Sequence, residues 1–337
     1  MTRDVLRWGL VGAGDIAEKR VAPALRDGPQ STLVAVARRR PELAEEFARR
    51  FGAERSYARW QELVRDDGID AVYVATPVSL HEEVAMAAAA AGKHVLCEKP
   101  MAMTVAECDR MITAADASGV LLGIAYYRHL YPIVRRVKEL LVTGAIGRPV
   151  LAQFNAFERF DPPADHPRAW LLDPSRSGGG PMFDFGCHRL EVLIKLFGQP
   201  ESVVGMLTRA TLFQRKVEDT ASASVRFEGG ALGMVTVSHG AEESRDTVDI
   251  YGDAGSIHIP QLNGSRLIVR RDGEDTEEEH HPPANLHQPL IDQFVAAVLD
   301  GDEPAVDGAA GREVNRLLET IYTISEGTSA ARAATPG

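Results

Sequence analysis

The chain has few cysteines, few aromatics, very little lysine and no long apolar run. Three cysteines in 337 residues, Cys97, Cys108 and Cys187, are too few and too scattered for a disulfide framework or a zinc knuckle. No apolar stretch reaches the ~18 residues that a membrane span needs. The longest, Val84 to Ala91, is mostly alanine and stops at Gly92-Lys93. The opening Met1-Thr2-Arg3-Asp4-Val5-Leu6-Arg7 carries charges where a signal peptide would be apolar. Acidic residues outnumber basic ones, 48 to 37, for a formal charge of -11. That balance does not suit a nucleic-acid binder, and without a long apolar run no membrane partner is expected either. A cytoplasmic protein without a metal site is expected. What is present is ordinary: 45% hydrophobic and 25% charged residues. At ~150 residues per domain the length suggests about two domains.

Strand and helix signals alternate through the first third. Val5–Val11, Leu33–Ala37, Ala71–Ala75, His94–Cys97 and Leu121–Ala125 read as short buried strands. Asp15–Arg26, Pro41–Phe51, Ser79–Ala91 and Thr104–Ser118 read as helices, the first with a kink expected at Pro23. Such alternation predicts a parallel sheet with helices on both faces. After about residue 125 the texture changes. One helix, Ile133–Leu141, is followed by strand-like segments at Val150–Phe157, Ser202–Thr211, Thr220–Phe227, Ala231–His239 and Thr247–Tyr251. They predict an antiparallel meander with one wet face. Asp272–Glu279 reads as a solvated loop or sheet edge. Apolar stripes at Leu290, Phe294 and Val298, and at Val314, Leu317, Leu318 and Ile321, predict two closing helices.

Gly12-Ala13-Gly14-Asp15-Ile16-Ala17 is a G-x-G-x-x-A pattern at the end of the first strand and the start of the first helix. That context makes it a dinucleotide signal. Gly12 permits the tight turn, Gly14 lets the backbone approach a pyrophosphate, and Ala17 allows close helix–strand packing. The end of the second strand speaks to which nucleotide. An NAD site wants an acid there for the ribose hydroxyls. This chain has Ala37-Arg38-Arg39-Arg40, and the next acid is Glu42. The missing acid, with guanidinium groups suited to a 2′-phosphate, points to NADP(H), with NAD(H) still possible.

Two further segments carry chemistry. Glu98-Lys99-Pro100 follows the fourth strand, at the carboxyl edge where doubly wound sheets bind ligands. Only six of the 37 basic residues are lysines, so a lysine there is informative. Its ammonium can stabilise a developing alkoxide. Gly178-Gly179-Gly180 is a loop that backbone or ligand can approach closely. The helix after it, running to Phe197, carries Asp184 and His188 four residues apart on one face. A carboxylate beside an imidazole is the pairing that a general base needs. Cys187 reads as packing.

Taken together these segments resemble the GFO/IDH/MocA oxidoreductases, over nearly the whole chain. The carriers are Arg7 through Ala17, Ala75-Thr76-Pro77-Val78-Ser79-Leu80-His81, Gly92 through Pro100, Gly178-Gly179-Gly180 with the Asp184 and His188 pair, and Phe294 through Pro304-Ala305-Val306-Asp307-Gly308. The resemblance implies an α/β fold: an N-terminal Rossmann domain over residues 1–124, then an α+β domain over 125–337 with a large open-faced, mostly antiparallel sheet. It implies hydride transfer between a nicotinamide cofactor and a hydroxyl or carbonyl carbon of a sugar, polyol or cyclic diol. By the same resemblance Thr76, Pro77 and His81 line the nucleotide and Glu98 lies by the ribose and nicotinamide. Lys99, Asp184 and His188 meet at the substrate, and Tyr127, Arg128 and Trp170 lie near it. The arginines of Arg38-Arg39 resemble those of NADP-using members. A homodimer or homotetramer is implied. Two other uses of the fold remain open: a dinucleotide sensor without turnover, and an enzyme that oxidises and re-reduces its substrate with one bound cofactor.

Overall fold

The computed structural model describes residues 4–333. The opening residues Met1, Thr2 and Arg3, and the last four of the chain, lie outside them. The chain divides into two compact units. One takes the chain up to Tyr127 and then Pro283–Asn315; the other takes Arg128–Pro282 and the chain from Arg316 on.

In the first unit β1 (Leu6–Val11) runs into the glycine turn and its helix. That helix opens as a wide π turn over Ala17–Val21, where the Ala22 N–H donates to the Ala17 carbonyl, and continues as α1 (Ala22–Asp27). The wide turn ends just before Pro23. Proline therefore falls in the first turn of α1, where its missing N–H costs least. There follow β2 (Ser31–Ala37) and α2 (Pro41–Phe51). Next come two short elements with no clear periodicity, β3 (Arg55–Tyr57) and α3 (Trp60–Leu63). The series closes with β4 (Ala71–Val74), α4 (His81–Ala90), β5 (His94–Cys97), α5 (Val105–Ser118) and β6 (Leu122–Ile124). All six strands are parallel, in the order β3-β2-β1-β4-β5-β6. The central strands are covered on both faces, and Leu10, Val72, Tyr73 and Leu96 are fully buried, which is why they read as continuous apolar runs. The winding reverses between β1 and β4, and ligands of such sheets bind beyond the carboxyl ends at that reversal. There the Ala75 N–H donates to the Val11 carbonyl (2.7 Å) and the Glu98 N–H to the Val74 carbonyl (2.9 Å). The loops after β1, β4 and β5 thus start in fixed register.

The second unit begins with α6 (Pro132–Val142), β7 (Pro149–Phe157) and α7 (Pro174–Ser177). A second wide π turn, Met182–Gly186, then leads into α8 (Cys187–Phe197). The rest is strand: β8 (Pro200–Thr208), β9 (Thr220–Phe227), β10 (Leu232–Ser238), β11 (Arg245–Gly252), β12 (Ser256–Ile259), β13 (Arg266–Arg271) and β14 (Glu274–Glu279). The sheet order is β14-β13-β12-β11-β7-β10-β9-β8. A simple meander is therefore the wrong expectation. β7 sits in the middle, parallel to β10 and antiparallel to β11, while the other pairs are antiparallel. The long stretch from 158 to 199, with its helices, lets the chain leave the sheet after β7 and return at the far edge. The acidic run forms the opposite edge strand, its charges paired with β13 through Arg266–Glu277 and Arg270–Asp275.

One face of this sheet is apolar and buried, with Phe154, Val235, Val237, Val248 and Ile250 at its centre. Gly233 lacks a side chain because Leu193 of α8 fills its place: a Cβ there would lie 2.9 Å from Leu193 Cδ2. The other face carries Ser222, Ser224 and Thr236 beside exposed Val204 and Met206.

The chain then returns to the first unit with α9 (Gln288–Asp300) and the start of α10 (Gly308–Ala333). Phe294 packs on Trp8, ring centroids 5.6 Å apart, and occupies the space that Gly123 leaves open. Asn315 donates to the Ala102 carbonyl at 2.7 Å.

Candidate active site

Gly12 has φ +98°, and a Cβ there would come 2.4 Å from the Ala75 carbonyl oxygen. Both facts require glycine: the conformation is left-handed, and the neighbour is backbone. Gly14 is the reverse case, with nothing within 4 Å of a built Cβ. Behind the turn Ala17 is fully buried, Asp15 pairs with Lys19 (2.7 Å) and Ile16 is half-buried. Across the reversal, the buried Thr76 Oγ1 has no hydrogen-bond partner among the described residues, and Pro77 follows it. The open space at Gly14 and the buried Thr76 hydroxyl across the reversal fit a dinucleotide phosphate. At the end of β2, Arg38 is half-buried with its backbone N–H on the Tyr57 carbonyl (3.0 Å), and Arg39 is exposed.

Beyond β5 the chain turns at Glu98-Lys99, whose next peptide, Lys99–Pro100, is cis. Glu98 is buried. Its Oε1 accepts from the Tyr73 hydroxyl (2.9 Å) and its Oε2 from the Lys99 backbone N–H (3.2 Å). Burial works to raise the Glu98 pKa, but the His287 imidazole, the Lys99 ammonium and the Tyr73 hydroxyl together hold the carboxyl below its usual value. The corner therefore carries a charged carboxylate under a half-buried lysine. His81 is buried and braces two loops. Its Nε2 lies 3.0 Å from the Thr76 carbonyl, and its Nδ1 3.0 Å from the Pro100 and 3.3 Å from the Met101 carbonyl. Burial lowers its pKa despite those carbonyls.

In the second unit the wide π turn carries Asp184, and the first turn of α8 carries buried His188. Such turns often mark functional positions. Asp184 Oδ2 lies 3.6 Å from Arg168 Nη2 and 3.7 Å from His239 Nε2. The glycine loop ahead of the turn is packed by protein. Built Cβ atoms would lie 2.4 Å from Phe183 at Gly178, 2.1 Å from the Tyr322 hydroxyl at Gly179 and 2.2 Å from the Glu218 carbonyl oxygen at Gly180. Of the two approaches that three glycines allow, backbone or ligand, this loop shows close approach by its own chain. Trp170 is half-buried in a single 3-10 turn, Ala169–Leu172, next to Arg168. Arg128 is buried, with Nη1 2.5 Å from Asn263 Oδ1. Tyr127, in the first unit, is buried against His287, ring centroids 4.3 Å apart.

The family model "Oxidoreductase family, NAD-binding Rossmann fold" matches residues 6–126, and the GFO/IDH/MocA C-terminal domain model matches residues 134–258. The chain belongs to the GFO/IDH/MocA family. It is 30% identical to 1,5-anhydro-D-fructose reductase of Ensifer adhaerens over 98% of this chain and 97% of that one. The crystal structure of aldose-aldose oxidoreductase from Caulobacter crescentus complexed with glycerol superposes with TM-score 0.88 at 27% identity, covering 96% of this chain and 98% of that one. A levoglucosan dehydrogenase complex with NADH superposes with TM-score 0.84 at 26% identity, covering 96% and 97%. The chain is thus an NAD(P)-binding oxidoreductase, of the type to which the sugar and polyol dehydrogenases among its relatives belong. Among its described residues no helix is long and apolar enough to cross a membrane.

Within each unit, several residues contact these candidates without a sequence signal. His239 follows β10 directly, more than fifty positions from Asp184, and is buried between Phe160 and Phe185. His287 sits just before α9 and faces Glu98. Glu218 and Tyr322 hold the glycine loop: Glu218 accepts from the Gly180 N–H (2.9 Å), the Met182 N–H (3.2 Å) and the Tyr322 hydroxyl (2.6 Å). None stands in a spaced motif, because each reaches its partner through tertiary folding.

Proposed function

We propose that this GFO/IDH/MocA protein is a dehydrogenase or reductase acting on a CH–OH or carbonyl carbon of a sugar, polyol or cyclic diol. NADP(H) is its preferred cofactor and NAD(H) a weaker one. The observation that carries the reading is the Glu98–Lys99 corner, a lysine over a buried carboxylate at the carboxyl edge of the NAD-binding sheet. Arg38 and Arg39 take the 2′-phosphate. Gly12, Gly14, Asp15, Ile16, Thr76, Pro77, His81 and Glu98 flank the nucleotide, His81 through the loops it braces. When bound, the nicotinamide supplies the hydride acceptor or donor. The Lys99 ammonium stabilises the developing alkoxide, and His188 takes the hydroxyl proton, a transfer worth about 10²–10⁴-fold. Asp184 orients His188 or receives a substrate hydroxyl. Tyr127, Arg128 and Trp170 contact the substrate. In reduction the same groups run in reverse.

Exposed Val204 and Met206, in a row with small hydroxyl side chains, support assembly into a homodimer or homotetramer through the open sheet face. The fold and charge suit a site of action in the cytoplasm. The test is a panel of sugars, polyols, cyclic diols and matching carbonyls, with both cofactors, followed by nicotinamide absorbance. Net release of reduced cofactor supports a dehydrogenase. Substrate conversion without it means internal redox, and no conversion across the panel overturns the reading. On the accepted substrate, His188→Ala lowers turnover about 10²-fold while cofactor binding stays within a few-fold.

A further inference from the structure

His287 is wholly buried, and among the described residues neither of its ring nitrogens makes a hydrogen bond of full geometry, Nε2 only approaching Glu98. Leaving a buried donor unpaired is costly, so a position that keeps one invites a reason. The ring is aimed: Nε2 lies 3.5 Å from Glu98 Oε1, the same oxygen that accepts from Tyr73. The ring packs on Tyr127 at a tilt of 39°, ring centroids 4.3 Å apart. The segment that carries it is also tied down. Asn285 Nδ2 donates to the Arg20 carbonyl (2.7 Å), Asn285 Oδ1 accepts the His287 backbone N–H (3.0 Å), and Gln288 Nε2 donates to the Ala24 carbonyl (3.3 Å). Arg20 and Ala24 lie on the helix that follows the glycine turn. Asn285–Gln288 is therefore a crosspiece, within one unit, from that helix to the Glu98–Lys99 corner.

We propose that His287 is a positioning residue for Lys99: its Nε2–H donates to Glu98 Oε1 and turns the carboxylate so that Oε2 keeps the Lys99 backbone N–H. The kinetic part of this proposal rests on the dehydrogenase reading. The groups facing Glu98 are Tyr73 from β4, His81 from α4, Cys97 and Lys99 on its own segment, and His287. Tyr73, Lys99 and His287 favour the carboxylate, whereas burial opposes it. Without the imidazole, Glu98 binds a proton more readily and loses one of the contacts that fix its rotamer. The backbone from which Lys99 starts then loses its anchor. A donor of similar reach, as in His287→Gln, restores it.

The first test needs no substrate. In protein carrying isotope-labelled histidine, the His287 ring signal is identified by its loss in His287→Phe, or in His287→Gln if the phenylalanine form does not fold. The expected signal is the Nε2-protonated ring, and it moves in Glu98→Gln. An identical signal in wild type and Glu98→Gln overturns the proposal. The second test uses whichever sugar or polyol the wild type accepts. His287→Phe is expected to lower kcat about tenfold and to move the acid limb of its pH profile upward, with the cofactor KM within about threefold. His287→Gln recovers most of the loss. An unchanged kcat and pH profile in His287→Phe overturns the positioning role. Failure of the wild type on every substrate overturns the dehydrogenase reading, and the histidine spectrum then decides the His287–Glu98 contact by itself.

Discussion

The Tyr322 hydroxyl donates to Glu218 Oε1 at 2.6 Å, and these two residues occupy the space that Gly179 and Gly180 leave. The relationship separates two kinds of glycine in this chain. At Gly180 a methyl group would meet the Glu218 carbonyl oxygen at 2.2 Å, and backbone cannot swing aside as a side-chain tip can. At Gly14 a methyl group would meet nothing within 4 Å. Gly180→Ala is expected to cost about 3 kcal/mol of stability by overpacking, read from urea unfolding. Gly14→Ala is expected to leave the unfolding midpoint unchanged and to weaken NAD(P)H binding about tenfold or more, because the space it fills is the proposed cradle for the pyrophosphate. The reverse pattern, a stable Gly180→Ala and an unstable Gly14→Ala, would contradict both assignments.

Much of this was legible in local patterns. The alternation of apolar runs and amphipathic helices gave the parallel sheet because each element buries its own faces. Gly12 and Gly14 could be placed because strand, turn and helix are contiguous in sequence. The second sheet was less legible. Nothing local to Val150–Phe157 says that β7 inserts between β10 and β11, since strand order depends on where a long connection returns. Arg55–Tyr57 and Trp60–Leu63 are too short to show a period. Spacing put Asp184 and His188 on one helix, and the structure places Asp184 in the π turn and His188 in the first turn of α8 that continues it. The contacts of Asp184 with Arg168 and His239 could not, because they join separate segments.

The proposed cofactor preference rests on the end of β2, where Arg38 and Arg39 stand and no acid does. Two guanidinium groups can pair with a 2′-phosphate through charge-assisted bonds, and a ribose hydroxyl offers them no charge. NADPH is expected to bind at least tenfold more tightly than NADH, a difference of about 1.4 kcal/mol. Replacing both arginines by alanine should remove most of that gap. Fluorescence titration of the wild type decides it: equal affinities mean that the arginines are a solvated helix entry.

An acid-dependent stability term is expected from α6 and β14. Arg136 donates to both oxygens of Glu278, at 2.8 and 2.9 Å. This hydrogen bonding holds the Glu278 pKa down to about 2, burial opposing it and His280 assisting. A carboxylate depressed in the folded state contributes stability above its unfolded pKa of about 4.3, and that stability is lost as pH falls toward the folded value. The pair is partly exposed, so its share is about 1 kcal/mol or less. The gap in urea midpoint between wild type and Arg136→Ala should therefore shrink as the pH is lowered from about 6 to about 3. A gap that widens in acid would mean that Arg136 stabilises the protein by some other contact.

Lys99 offers the sharpest test of the chemistry. It starts from a backbone N–H held by Glu98, beyond a buried strand, in the unit that carries the dinucleotide turn. Arginine is about five times as common as lysine in this chain, so arginine was readily at hand for any position needing only positive charge. An ammonium is compact and carries its charge at one point, while a guanidinium is planar, larger and spreads it. A role at a developing alkoxide needs the compact group, because the stabilisation depends on donor placement to within a fraction of an ångström. Lys99→Arg is then expected to lose turnover nearly as severely as Lys99→Ala, about 10²-fold or more, with cofactor still bound by both. Steady-state kinetics at saturating cofactor measure it. An arginine form that keeps more than about half the wild-type rate would show that charge alone suffices at this corner, and the alkoxide role would pass to another donor.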